Sequence, residues 1–528
     1  MKLKGWLRLV VILVFGLIVV LPALAADQPR YGGTLRAAIA GDAPSLDPHR
    51  ETTFKTIQVV APAYNTLLMF SPTEYPKIIG DLATDWSVSK DGLTYTFKLH
   101  KGVRFHDGSL LTSADVKASF EKIIWPPKGT FSSRKAHYRP MERIETPDAD
   151  TVVFTLKHPS ASMLANFASP WNVIYAKKHL DENMKFYERK VIGTGPFKFK
   201  KDIKGSTFEL VKNENYFRQG RPYLDGVKFF MIKDLSARAK SLRSGRVDIE
   251  FRNMPPAEVE TMKKQLGDRI NVQYPGWVTW WGVSPHNTRK PFDDVRVRKA
   301  LSLAIDRYDM AKTIYPLTGL EGIGGMMRPG SAWQLSSEEM QQLTGYGKDH
   351  QANVKEAKRL LAEAGYPNGF KVILTNRSVK LPYIDFGVYL ISAWKKIGVD
   401  AEHLLQESAT WSKTRNTGDF ALMVNPGSDY TDEPDIQLSR YISGSPSNSG
   451  RISDPRVDEL FKKQAVETDP KKRIEMVKEI QKIIINNAYY IQGLWSARAV
   501  VHSHKVRNYV AHPSHYSNQR LQDVWLAK

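Results

Sequence analysis

The chain is 528 residues long, carries a formal net charge of +21 and contains no cysteine. That length implies at least two domains and is ample for a sizeable core. The lack of cysteine excludes disulfides and a lipid-modified N-terminal cysteine, and the charge by itself points toward a nucleic-acid partner.

The N-terminus argues against that partner. Lys2, Lys4 and Arg8 precede an unbroken apolar run from Leu9 to Leu21, and Pro22, Ala23 and Ala25 then offer an Ala-x-Ala cleavage site. This is the layout of a secretory signal peptide over residues 1–25, with an uncleaved anchor as the alternative. A mature chain beginning near Ala26 is expected in a Gram-negative periplasm. Three basic residues and no acidic ones leave with the signal segment, so the remainder carries +18. Its basic residues are dispersed, which marks solvated surface, and no nucleic-acid partner is expected.

The mature part opens on strands. In "SVSKDGLTYTFKLHKGVRF" Asp91-Gly92 marks a turn, and Leu93, Tyr95, Phe97 and Leu99 alternate as one face of a half-buried strand. Asp107-Gly108 marks the next turn. Thr112 and Asp115 follow at capping-box spacing, opening a helix with Val116, Phe120 and Ile123 on one side. "DADTVVFTLKHPS" predicts a strand ending at Pro159, "GTGPFKFKKD" and "STFELVKNENYF" a strand pair, and "LDGVKFFMIKD" an apolar strand. "SARAKSLRSGRVDIEF" reads as a helix stopped by Gly245 and then a strand. From Pro291 onward, helices predicted at Val295–Tyr308, Val354–Ala364, Tyr383–Ile397 and Pro455–Asn486 alternate with strands in "FKVILTN" and "GDFALMVN". A strand-rich first half meets an α/β second half, without internal repeats.

The stretch "RKPFDDVRVRKALSLAIDR", residues 289–307, packs six arginines and lysines around an apolar spine. With Asp293 as N-cap, Phe292 and Val297 take staple positions. Val297, Leu301, Ala304 and Tyr308 form a buried stripe. Arg296, Lys299 and Arg307 fall mainly away from it, so an amphipathic helix with a wet basic face is expected.

Signatures of catalysis are missing. There is no H-E-x-x-H, no P-loop and no G-x-S-x-G, and "GTGPFK" at Gly193 lacks the third glycine of a dinucleotide loop. A secreted hydrolase would need a nucleophile–base pair or a metal cluster. His502, His504, His512 and His515 lie close in sequence, but no cysteine or carboxylate completes a ligand set, so packed or surface histidines are expected, with no metal and no cofactor. Aromatic residues say more. Tyr274, Trp277, Trp280 and Trp281 crowd the junction of the two halves, and Trp411, Tyr430, Tyr489, Tyr490 and Trp495 come later; such walls suit either a core or an organic ligand at a domain interface. "NPGSDYTDEPDIQL" is an acidic, turn-rich loop after the strand "FALMV". Asp429, Asp432, Glu433 and Asp435 could hold a cationic group there, or merely shape turns and caps, Asp435 being a candidate N-cap.

Together and in order, these segments resemble the large extracytoplasmic solute-binding proteins of ABC importers for peptides, nickel and opines. "GGTLRAAIAGDAPSLDP", "DLATDWSVSKDGLTYTFKLHKGVRFHDGSLLTSADVKASFE", "GTGPFKF", "SGRVDI", "PFDDVRVRKALSLAIDR" and "ISDPRVDELFKKQAVETDPKKRIEMVKEIQKII" carry the resemblance across nearly all of the mature chain. It implies an α/β, two-lobed Venus-flytrap fold with an extra domain inserted in the N-terminal lobe. The N-terminal lobe is then 26–71, 187–275 and 494–528, the inserted domain 72–186 and the C-terminal lobe 276–493, with crossings near Tyr274–Trp277 and Gly493–Ser496. It further implies a monomer that closes on a small solute, breaks no bond in it and docks on the transmembrane permease subunits. Residue by residue, Asp429 matches the aspartate that pairs with a peptide's amino group, with Asp432 as the alternative. Trp411 matches a cleft tryptophan, and Ser45, Leu46, Trp280 and Trp281 match cleft-facing positions. Some oligopeptide binders carry an arginine just before the acidic loop; "ALMVNPG" has none. A peptide or similar amine-bearing solute is therefore the expected ligand, with oligosaccharide, opine or metal chelate as alternatives.

Overall fold

A computed structural model describes residues 28–528. The signal-peptide reading, with its cleavage site, lies outside the described residues. Two seven-stranded sheets form the frame. The first runs in the order Ile270–Gln273, Val500–Ser503, Ile249–Glu250, Thr34–Ile39, Gly226–Met231, Thr207–Lys212, Phe197–Ile203. Its central three strands are parallel, so their carboxyl ends point the same way. The second runs Leu320–Gly322, Ile491–Ala497, Gly276–Pro285, Leu422–Val424, Lys371–Arg377, Asp400–Gln406, with Gly427–Ser428 added beside Gly276–Pro285. Lys371–Arg377 is parallel to both Asp400–Gln406 and Leu422–Val424.

A third, antiparallel sheet of Ala83–Val88, Thr94–Leu99, Thr151–Leu156 and Met141–Asp148 sits between strands of the first sheet in sequence. The alternation read from the sequence is real: Tyr95, Phe97 and Leu99 are buried while their neighbours are not. The helix Ser113–Ile124 starts where the capping box places it. The Thr112 backbone N–H and hydroxyl both donate to Asp115, at 2.8 and 3.0 Å. This unit shares one continuous apolar core with the first sheet, in which Phe97, Phe120, Phe154 and Phe167 pack edge to face.

The chain passes between the large sheets twice, from Gln273 to Gly276 and from Ala497 to Val500. The second passage lies beyond Gly493–Ser496 because Ile491–Ala497 stays paired with Gly276–Pro285 through Ala497. Arg498 pins it: buried, it donates to the carbonyls of Arg252 (2.7 Å), Phe251 and His512.

The basic stretch after Arg289 departs from its expectation. Its N-cap is Asp294, whose carboxylate accepts from the Arg296 N–H, not Asp293. The helix ends at Leu303, and Asp306 caps a second one, Arg307–Thr318. Arg298 and Arg307 are not on a wet face. Arg307 is 1% exposed and donates to the carbonyls of Gln492 (2.9 Å), Ser302 (3.1 Å) and Gly345 (2.6 Å). The break between the helices exposes carbonyls that a guanidinium fork can satisfy, which periodicity does not reveal. Similarly, the long C-terminal helix is two, Pro455–Val466 and Pro470–Asn486, because Asp469 caps a new start and Pro470 takes the first turn.

Candidate ligand-binding site

Parallel strands deliver ligand contacts at their carboxyl ends. Four such ends converge between the two large sheets. Gly226–Met231 leads to Leu235 and Ile249–Glu250 to Arg252 in the first lobe. Lys371–Arg377 ends on Arg377 and Leu422–Val424 leads to Gly427 in the second. They enclose a cavity of about 400 Å³ lined from both lobes. Trp277, Trp281, Tyr383 and Tyr516 supply its aromatic lining, Tyr383 edge-on to Trp281 at 4.7 Å, with Ser428, Ser496 and His515 among the polar residues.

The charge of this cleft is one-sided. Arg238, Arg252 and Arg377 line it, and no carboxylate does. Arg238 is committed elsewhere, donating to the carbonyls of Ile232 (3.0 Å) and Lys233 (2.9 Å). Arg377 is aimed rather than neutralised. Its Nε donates to the Ser408 hydroxyl at 2.7 Å and its Nη1 to the Tyr383 hydroxyl at 3.3 Å, with the Tyr383 ring alongside. Arg252 is exposed. Neither Arg252 nor Arg377 makes an ion pair among the described residues. Burial, with Arg252 and Arg498 nearby, holds the His515 imidazole well below its usual range. The neutral ring accepts a hydrogen bond from Trp277 Nε1 at 2.9 Å.

The acidic loop lies beside the cleft and is already paired. Asp429 Oδ2 accepts from Arg440 Nη2 at 2.8 Å. Asp432 takes a bidentate pair from Arg328 at 2.9 and 2.7 Å. Glu433 pairs with Arg473, and Asp435 accepts from Gln464 with Arg473 at 3.7 Å. Asp435 is not an N-cap; it lies in the first turn of helix Pro434–Leu438, which Glu433 precedes. The loop also joins the lobes. Tyr430 enters the first lobe's core and donates to Asn166 Oδ1 at 2.9 Å, while the Ser514 and Ser517 hydroxyls donate to the carbonyls of Asp429 and Tyr430.

The residues singled out in sequence scatter around this site. Trp281 lines the cleft. Trp280 points from the opposite face of the same strand into a neighbouring chamber. Trp411 is buried against Phe420 and Met423, and Tyr383 links it to Trp281 through edge-to-face contacts. Asp429 stands behind Ser428, which lines the cleft, whereas Asp432 faces Arg328. Ser45 and Leu46 are buried and are not among the cleft-lining residues; the Ser45 hydroxyl accepts from the Asp47 N–H, and Leu46 joins the first lobe's core. The four C-terminal histidines are engaged separately, His502 beside Gln273, His504 on Arg269, His512 on Pro72 and His515 on Trp277. Sequence reasoning passed over Arg252 and Arg377. The signal was present, since each follows directly on a strand that the sequence marks, "RVDIEF" and "FKVILTN".

Residues 77–449 match the family model described as bacterial extracellular solute-binding proteins, family 5 Middle. The chain belongs to this family. It is 30% identical over 485 residues to heme-binding protein A of Haemophilus influenzae, covering 86% of this chain and 85% of that protein. Among solved structures it is similar to the periplasmic binding protein DppA from Helicobacter pylori in complex with the peptide STSA, with a TM-score of 0.81 and 29% identity over 94% of this chain and 99% of that one. AgaA from A. tumefaciens R10, in complex with agropinic acid, matches with a TM-score of 0.80 and 27% identity over 94% and 99%. The two-lobed α/β fold and the role of a solute-binding component of an ABC importer follow from this membership. Family members are periplasmic binding proteins rather than enzymes, and no helix among the described residues is long and apolar enough to cross a membrane.

Proposed function

We propose that this protein captures a short peptide by its carboxylate in the cleft between the lobes and hands it unchanged to a membrane permease. The observation that carries the reading is Arg377. It is a guanidinium at a strand's carboxyl end, oriented by Ser408 and Tyr383, facing a cavity with aromatic walls and no acidic lining. Guanidinium–carboxylate pairing is strong in such a setting and fixes ligand orientation. Trp277, Trp281 and Tyr383 supply apolar contact. The ligand's amine lies toward Ser428 and Asp429, whose Oδ1 has no hydrogen-bond partner among the described residues. Tyr430 and the two serines supply contacts made when the lobes close, and a bound ligand shifts the population toward that state. Cleavage of the signal segment after Ala25, monomeric action and the absence of turnover belong to the same proposal.

Calorimetry with Ala-Ala, its C-terminal amide and its N-acetyl form tests it. The amide should lose most of the affinity and the N-acetyl form less, and mass spectrometry should recover the peptide intact. If no peptide binds while an oligosaccharide does, the sugar reading replaces this one. An opine, itself carboxylate-bearing, is the second reading that the arginine-lined cleft favours.

A further inference from the structure

A second cavity, of about 500 Å³, lies wholly within the second lobe. Strand Gly276–Pro285 separates it from the cleft. Thr279 and Trp281 face the cleft, Trp280 and Ser284 face this chamber, and Pro426 and Gly427 line both. The partition is thin at Gly427. A Cβ there would come within 2.1 Å of the Trp280 ring, so no other residue fits without moving the indole.

Three guanidiniums line the chamber, those of Arg415, Arg440 and Arg451, and no carboxylate does. Arg440 is matched by Asp429 from behind, but its Nε is shut off from solvent without a partner. Arg415 lies over the Trp411 ring at 5.1 Å and meets only the neutral Asn416 Oδ1, through two bonds of 3.3 Å. Burial, and after it the neighbouring charge of Arg440, disfavours its protonated form. Arg451 donates to the Thr417 carbonyl at 3.1 Å from a backbone held at φ +54°. Neither Arg415 nor Arg451 makes an ion pair among the described residues. Arg415 is half-buried and Arg451 exposed at the rim, so an oxyanion entering this cavity meets two guanidiniums that no carboxylate neutralises.

We infer that this chamber is a second binding subsite, specific for an oxyanion, set across strand Gly276–Pro285 from the cleft. Arg377 lies near enough for its charge to be felt at Arg415. The chemistry is that of a carboxylate or phosphate. Its source is either an acidic arm of the captured ligand or a free small anion. The two sources give different results, and the free-anion arm does not depend on the peptide reading.

Three proteins are compared by calorimetry: wild type, Arg415→Gln/Arg451→Gln, and Arg451→Lys. The probes are Ala-Glu, Ala-Gln, glutarate and inorganic phosphate. If the acidic arm is the source, wild type binds Ala-Glu at least tenfold tighter than Ala-Gln, the double variant does not, and Arg451→Lys keeps part of the preference. If a free anion is the source, glutarate or phosphate binds wild type and loses at least tenfold in the double variant. Equal affinity for the two peptides, together with no arginine-dependent binding of either anion, overturns the subsite. So does a preference that survives both substitutions. Ala-Gln binding reports separately on the peptide reading, since that ligand asks nothing of the chamber. Neither arginine anchors the core, and unchanged circular dichroism and unfolding midpoint verify that the variants fold.

Discussion

Two charged regions lie side by side in this protein and are treated oppositely. In the acidic loop, Asp429, Asp432 and Glu433 each face an arginine, and Asp435 shares Arg473 and Gln464. In the cleft, Arg252 and Arg377 line a cavity without any carboxylate. Charge density alone therefore says little about function. A charge whose partner comes from the same fold is part of the architecture, whereas one oriented by neutral hydroxyls toward a cavity, as Arg377 is, stays available to a ligand.

The largest expected effect breaks the architectural side. Glu433 and Arg473 are both buried, and burial pushes the Glu433 carboxyl up to about 7 against the pull of Arg473. Arg473→Met leaves Glu433 without its cation. Removing one member of a buried pair costs about 3–5 kcal/mol. Urea unfolding without ligand should show that loss, and a change below about 1 kcal/mol would mean that the loop does not depend on its pairs.

On the ligand side, Arg377→Met should reduce affinity for Ala-Ala by about 2–5 kcal/mol, a factor of tens to thousands. Unfolding of the free protein should change little, because Ser408 and Tyr383 are neutral and can turn to water. A variant that unfolds early yet binds normally would move Arg377 to the architectural side and remove the distinction.

Acid provides a third separation. His49 and His512 are buried, donating to the carbonyls of Val173 (2.9 Å) and Pro72 (3.1 Å). Burial lowers them to about 3 and about 4. Both lie below the unfolded value of about 6.5, so between these limits the unfolded chain binds more protons. Stability is then complete above about pH 6.5 and falls on acidification by about 1.4 kcal/mol per pH unit for each histidine, until the folded-state value is reached. Denaturation at pH 7 and pH 5 should show the slope, and His512→Gln should reduce it. A slope that His512→Gln leaves unchanged would mean that this ring is not kept neutral.

How much of this was legible in the sequence depended on how local the signal was. Alternation at Tyr95, Phe97 and Leu99, the Thr112–Asp115 box and the stop at Gly245 are set by near neighbours, and the fold follows them. The helix breaks at Ala304–Asp306 and Glu467–Asp469 were missed because both flanking segments keep helical periodicity, and only a capping aspartate separates them. Arg307 read as surface because its partners, the carbonyls of Gly345 and Gln492, are remote in sequence. The same limit governs the site. The carboxylates of "SDYTDEPD" are conspicuous as a cluster, but Arg328 and Arg473, which neutralise two of them, stand far away in the chain. Arg252 and Arg377 are single residues whose meaning comes from two sheets converging.

Asp429 is the residue that lies between the two classes, and its effect should be the smallest. Its pair with Arg440 is incompletely buried, with side chains 14% and 30% exposed, so Asp429→Asn should cost only about 1 kcal/mol of stability. One oxygen is held by Arg440, and the other has no partner among the described residues; in the proposed reading a ligand ammonium reaches it past Ser428. A carboxylate shared in this way attracts the amine less than an unpaired one would, because Arg440 opposes the incoming charge. Asp429→Asn should therefore weaken Ala-Ala binding only a few-fold and leave N-acetyl-Ala-Ala unchanged. Calorimetry on both ligands decides the matter. An equal loss for both would make the effect structural and assign Asp429 wholly to the loop. A loss as large as that from Arg377→Met, confined to the free amine, would mean that Arg440 swings away on binding and that the carboxylate, not the arginine, leads recognition.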